Sequence, residues 1–123
     1  MRVPILSQRG YLIVSIQAAL SDADWSELNS DLARQVSTRR SRAVIVDISA
    51  VDVMDSFATR TLRTMAQVTK LRGAETIVVG MQPDVAFSMV QLGLGLDGIT
   101  TALDLEEGLS ILDRAGRAGR GGH

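Results

Sequence analysis

The chain has 123 residues, no cysteine and a single histidine, His123, at its last position. This length fits one domain. The missing cysteines exclude disulfides, thiolate nucleophiles and sulfur-ligated metal sites, and His123 at the terminus leaves no imidazole base for a serine or cysteine triad. Lysine plus arginine number 13 against 14 aspartates plus glutamates, a formal net charge of -1, so the overall charge disfavours nucleic-acid binding.

No apolar run approaches the roughly 20 residues that span a bilayer. Arg2 and Arg9 ahead of YLIVSIQAAL imitate the start of a signal peptide. Ser15 and Gln17 interrupt that stretch, which reads better as a strand, and a cytoplasmic protein is the working expectation.

The predicted elements alternate between β-rich runs and helical stretches. Val3 to Leu6 reads as an edge strand interrupted by Pro4, Gln8-Arg9-Gly10 as a turn, and Tyr11 to Ile16 as the second strand of a hairpin. Ser21 with Asp24 three residues on resembles a capping box. Trp25, Leu28, Leu32 and Val36 then recur at helical spacing, to an end near Arg39-Arg40.

Ala43 to Ile48 is almost continuously apolar, as suits a strand covered on both faces. A loop rich in Asp and Ser leads to a second helix beginning near Asp55-Ser56, with Ala58, Leu62, Met65 and Thr69 on one stripe and Gly73 closing it. Thr76 to Val79 is the next strand. Gln82-Pro83-Asp84 opens a third helix that runs to about Leu92 and stops at Gly93-Leu94-Gly95. Ile99 to Ala102 forms a short last strand, and Asp104 starts a final helix through about Ala115. Strands separated by helices predict an α/β domain with a mixed, mostly parallel sheet, an N-terminal hairpin and about four helices. The domain is expected over 1–115, with 116–123 a flexible tail rich in glycine and arginine.

The densest polar feature is Asp47, Ser49, Asp52, Asp55 and Ser56, between a buried strand and a helix start, where open α/β sheets carry their sites. Two readings stand. The carboxylates could hold a hard cation, or Asp47 and Asp52 could order a loop while Asp55 caps the helix. A receiver-type phosphoaspartate pocket fails on its parts: no acidic pair ends the first full strand, and Lys70, the only lysine, falls inside a helix.

Ser56 occupies the first helical position if Asp55 is the cap. A phosphate there would add about -1.5 to -2 charges, which the helix dipole favours and Asp52 and Asp55 oppose. No G-x-x-x-x-G-K-[ST] sequence supports a nucleotide site. Arg60 and Arg63 are placed to flank the Ser56 surface, or to stand in solvent. Met54 is open to two roles, a hydrophobic staple or a surface anchor. Trp25 reads as core, while Phe57 and Phe87 are undecided between core and exposed contact.

The segment VIVDISAVDVMDSF at 44–57, with LIVSIQAAL at 12–20, KLRGAETIVVGMQPDVAFSMVQLGLGL at 70–96 and TALDLEEGLSIL at 101–112, resembles the STAS domain of anti-sigma factor antagonists. The Asp-x-Ser-x-Val-Asp-x-x-Asp-Ser pattern at 47–56 is fairly specific for that family. The G-x-Q-P-x-V-A stretch and single-domain length point to its short stressosome scaffold type. The likeness covers nearly all of 3–114.

The resemblance implies a non-enzymatic phosphorylation switch without cofactor, metal or nucleotide in the domain. Ser56 would be the phosphorylated serine, and Asp52, Met54, Asp55, Phe57 and Arg60 would contact a kinase or support the loop. The implied partners are a GHKL-class serine kinase that is held and then released, related STAS sensor proteins in a large assembly, further copies of the chain, and a PP2C-type phosphatase. Neither nucleic acid nor membrane is an expected partner. The alternative within the same resemblance is a free antagonist that binds one anti-sigma kinase.

Overall fold

A computed structural model describes residues 3–93 and 98–121, with side chains to 115. In chain order the elements are β1 (Ile5–Gln8), β2 (Tyr11–Ser15), α1 (Asp22–Arg39), β3 (Ala43–Asp47), α2 (Ser56–Leu71), β4 (Glu75–Val79), α3 (Pro83–Gln91), β5 (Thr100–Ala102) and α4 (Leu105–Gly121). The strands form one sheet in the order β1-β2-β3-β4-β5. The first pair is antiparallel, and β2 through β5 run parallel.

The hairpin differs in register from the expected edge strand. Arg9 (φ 55°) and Gly10 (φ 81°) both adopt positive φ, the pattern of a two-residue turn matched to strand twist. Gln8 therefore pairs directly with Tyr11, and Ile5 with Val14. β1 shifts along the chain, and Pro4 falls before the strand, where its missing N–H breaks no ladder.

At α1 the expected capping box forms: the Asp24 amide donates to Ser21 Oγ at 3.1 Å, and the Ser21 amide to Asp24 Oδ2 at 3.2 Å. The helix ends at Arg40 in left-handed geometry (φ 50°, ψ 44°).

Alternation along the parallel strands divides the core in two. Leu12, Val14, Val44, Val46 and Val78 face α1, α2 and α3, packing with Trp25, Leu32, Leu62, Met65, Val85 and Met89. Tyr11, Ile13, Ile45, Ile77 and Val79 face the other way, against Leu112 of α4. The continuous apolar run of β3 is thus explained by cover on both sides. Trp25 is core, as is the whole stripe of Ala58, Leu62, Met65 and Thr69. Fully burying a side chain such as Leu62 contributes about 1.5–3 kcal/mol. The buried Thr69 and Thr76 hydroxyls satisfy each other at 2.9 Å.

α4 continues in helical backbone to Gly121, beyond the boundary expected near 115. Composition underestimates its reach because helix propagation carries on from a well-anchored nucleus despite the roughly 1 kcal/mol cost of each glycine. Of the residues expected to end α3, Leu94 and Gly95 lie outside the described residues, and Gly93 has φ 68°. Among the described residues, no helix is long and apolar enough to cross a membrane.

Candidate functional site at the start of α2

β2, β3 and β4 end together, with Ser15, Asp47 and Val79 side by side in register. From there the chain must travel from β3 to α2, and three apolar side chains at intervals of three residues govern how it does so. Ile48, Val51 and Met54 are each at most 4% exposed and belong to the main core. Between them Ser49, Asp52 and Val53 face outward. The loop is therefore pegged from beneath, and Met54 is a buried support just before the cap rather than a surface anchor.

Backbone and side-chain bonds complete the support. The Ile48 amide donates to the Val79 carbonyl at 3.0 Å, the Val51 amide to the Ile48 carbonyl at 2.9 Å, and the Ser49 amide to Asp47 Oδ1 at 2.9 Å. From the β4–α3 connection, Gln82 Nε2 donates to the Ser49 carbonyl at 2.9 Å. Gly80 passes so close that a Cβ placed on it would lie 2.6 Å from Ser49 Cβ. Neither Gly80 nor Gln82 stands out in the sequence as part of the site. The G-x-Q-P spacing is the only signal, and its meaning depends on β4 lying beside β3.

Asp55 is the N-cap of α2: its Oδ1 accepts from the Ala58 amide at 2.8 Å. The Asp55 carbonyl accepts from the Thr59 amide at 3.1 Å and from Thr59 Oγ1 at 3.0 Å. A helix start leaves its first amides without intrahelical acceptors, and Asp55 takes up only one of them. Among the described residues, the amides of Ser56 and Phe57 and the hydroxyl of Ser56 have no hydrogen-bond partner within the chain. Ser56 is half-buried, with exposed Asp55 and Phe57 on either side. The site is thus a serine hydroxyl at a helix N-terminus, beside amides oriented to receive negative charge.

The flanks are apolar. Val53 is 67% exposed and Phe57 38%, large fractions for such side chains next to a polar loop. Beside them a small cleft of about 90 Å³ opens between the β2–α1 connection and the start of α2, lined by Leu20, Val51, Val53, Asp55 and Ala58 among others. Arg60 is exposed one turn into the helix, and Arg63 is half-buried. Neither forms an ion pair among the described residues. Phe87 stands exposed on α3.

The carboxylates do not converge on a cation. Asp47 serves the Ser49 amide, Asp55 serves Ala58, and among the described residues no group of three or more Asp, Glu, His or Cys side chains lies close enough to hold a metal ion.

The cap can be separated from its charge. Asp55→Ala is expected to cost about 1 kcal/mol of stability, whereas Asp55→Asn, also a good N-cap, should cost much less. Thermal unfolding of both variants checks this, and equal losses would mean that the charge, not the cap, stabilises α2.

Comparison with known proteins gives one consistent answer. The STAS domain model matches residues 2–108. The RsbT co-antagonist protein RsbRA of Bacillus subtilis is 29% identical over 79 residues, which is 64% of this chain but 29% of that protein. The chain therefore spans less than a third of that relative's length. Among solved structures, a serine-to-glutamate variant of Moorella thermoacetica RsbS is 32% identical with a TM-score of 0.83, covering 94% of this chain and 97% of that one. A chain from a structure of the stressosome, described as a signal integration and transduction hub, is 30% identical with a TM-score of 0.78, covering 93% and 99%. The fold, the pegged loop and the capped serine are therefore shared property: the chain belongs to the STAS domain family.

Proposed function

We propose that the chain is a phosphorylation-controlled stressosome scaffold, in which Ser56 is modified by a partner serine kinase of the GHKL class. The observation that carries this reading is the position of Ser56: first residue of a capped helix, hydroxyl unengaged within the described fold, in a chain 32% identical over 94% of its length to an RsbS protein. In the transfer, Ser56 Oγ forms a bond to the γ-phosphorus of ATP, the bond to the bridging oxygen breaks, and ADP leaves. The hydroxyl proton passes to a base on the kinase. The domain supplies only the acceptor and its geometry, and catalyses nothing itself.

The unmodified surface offers the kinase an apolar contact through Val53 and Phe57 beside the acidic Asp52 and Asp55. Phosphorylation puts about -1.5 to -2 further charges amid those carboxylates. The free amides of Ser56 and Phe57 can accept that charge, so the helix tolerates it while the kinase surface does not. Release of the kinase follows, and a PP2C-type phosphatase resets the serine. The assembly would be cytoplasmic and contain related STAS proteins and further copies of this chain. RsbRA-like and RsbS-like relatives support that partnership.

The test is direct phosphorylation. Purified protein incubated with its cognate kinase, magnesium and ATP is expected to gain one phosphoryl group, mapped to Ser56 by peptide mass spectrometry. An active kinase that leaves Ser56 unmodified overturns the assignment.

A further inference from the structure

The parallel topology sorts charge to opposite ends of the domain. At the start of the parallel strands, Arg9 sits in the hairpin turn, Arg39, Arg40 and Arg42 follow α1, and Lys70 and Arg72 close α2; all are exposed. Hydrogen bonds lock these connections side by side. The Arg42 amide donates to the Gly10 carbonyl at 3.1 Å, the Glu75 amide to the Arg42 carbonyl at 3.0 Å, and the Arg72 guanidinium to Ser37 Oγ. Among the described residues, none of these cations is in an ion pair. Two carboxylates lie near this end, and each has a hydrogen-bond donor: Glu75 accepts from Thr100 and Asp113 from Tyr11.

The opposite end is acidic. Asp22, Asp52, Asp55, Asp84, Asp104 and Glu106 surround the N-termini of the four helices, all exposed. Each sign complements the helix dipoles at its own end, which accounts for part of the sorting. It does not account for a whole pole of unpaired arginines. α2 alone, with 16 residues, holds the poles about 24 Å apart. That exceeds the screening length of about 8 Å at physiological salt. The overall charge of -1 therefore does not cancel either pole at contact range.

The geometry points to head-to-tail association between copies of this chain, with the arginine pole of one copy docking on the acidic helix-start pole of the next. Such a contact is heterologous, and it propagates into rings or open arrays rather than closing as a simple two-fold dimer. Arginine suits the arrangement because its forked donors engage carboxylates in pairs. The proposal does not rest on Ser56 being modified, and its failure would leave the switch untouched.

A charge swap tests it. Arg39→Glu with Lys70→Glu makes both poles acidic, and Asp84→Lys with Glu106→Lys makes both basic. No side-chain hydrogen bond or ion pair of these residues is seen, and none lies in the Ser56 loop. Sedimentation of the full chain at about 20 mM salt is expected to show concentration-dependent growth in mass that disappears near 500 mM. Each double variant alone should associate at least about fivefold more weakly, while an equimolar mixture of the two should associate again. Wild-type protein that stays monomeric at low salt overturns the proposal, as does a mixture that fails to recover. A wild type that instead binds DNA or anionic vesicles through the arginines, without self-association, also overturns it. Circular dichroism of each variant separates loss of contact from loss of fold.

Discussion

Ser56→Glu is expected to weaken kinase binding about tenfold or more, a change of about 1.4 kcal/mol, while Ser56→Ala keeps the wild-type affinity within about twofold and blocks phosphorylation altogether. The difference follows from where the charge falls. A carboxylate at the first helical position is favoured by the dipole by about 0.3–1 kcal/mol, and the amides of Ser56 and Phe57 have no acceptor within the described chain. Asp52 and Asp55 repel it by a similar amount, so the melting temperature should barely move. The kinase, by contrast, meets an added charge between Val53 and Phe57, on the surface it must desolvate. True phosphorylation should exceed the glutamate effect, because it carries about -1.5 to -2 charges instead of one. Calorimetric titration of kinase into the three proteins checks the expectation. Equal affinity across wild type, Ser56→Ala and Ser56→Glu would contradict an electrostatic release.

What could be read from sequence was whatever local chemistry decides. The Ser21–Asp24 box, the stripe on α2, the Asp55 cap and the doubly covered β3 each depend on residues a few positions apart, and each appears in the structure. The family pattern at 47–56 adds Ser56, whose placement at the helix start follows from the cap. The hairpin was misjudged by two residues because Arg9 is an unusual bearer of positive φ, and turn type sets strand register. Met54 stayed open between two roles because its burial depends on the sheet beneath it. The poles were invisible because the cations of one pole come from separate connections that only the parallel order brings together. The support from Gly80 and Gln82 has the same character: more than thirty positions separate Gln82 from the Ser49 carbonyl it holds.

That support predicts the largest stability effect in the site. Gly80 has φ 75°, in the left-handed region that a side chain disfavours by about 1–2 kcal/mol. Its added Cβ would stand 2.6 Å from Ser49 Cβ and 3.1 Å from Ser49 Cα and N, so one backbone must move in a packed region, an overpacking cost of about 1–3 kcal/mol. Gly80→Ala is thus expected to lose about 2–4 kcal/mol, or about 10 °C in melting temperature for a domain of this size. Because β4 and the loop before α2 would part, kinase affinity should fall even at temperatures where the variant is fully folded. Ser49→Gly removes the nearest clashing atom but not the positive φ. In the Gly80→Ala background it should recover about 1–2 kcal/mol, a coupling that a double-mutant cycle reads directly. Denaturant unfolding of the four proteins gives the cycle. Strict additivity would show that the two residues do not press on each other, and a Gly80→Ala protein as stable as wild type would show that the close approach does not constrain the loop that presents Ser56.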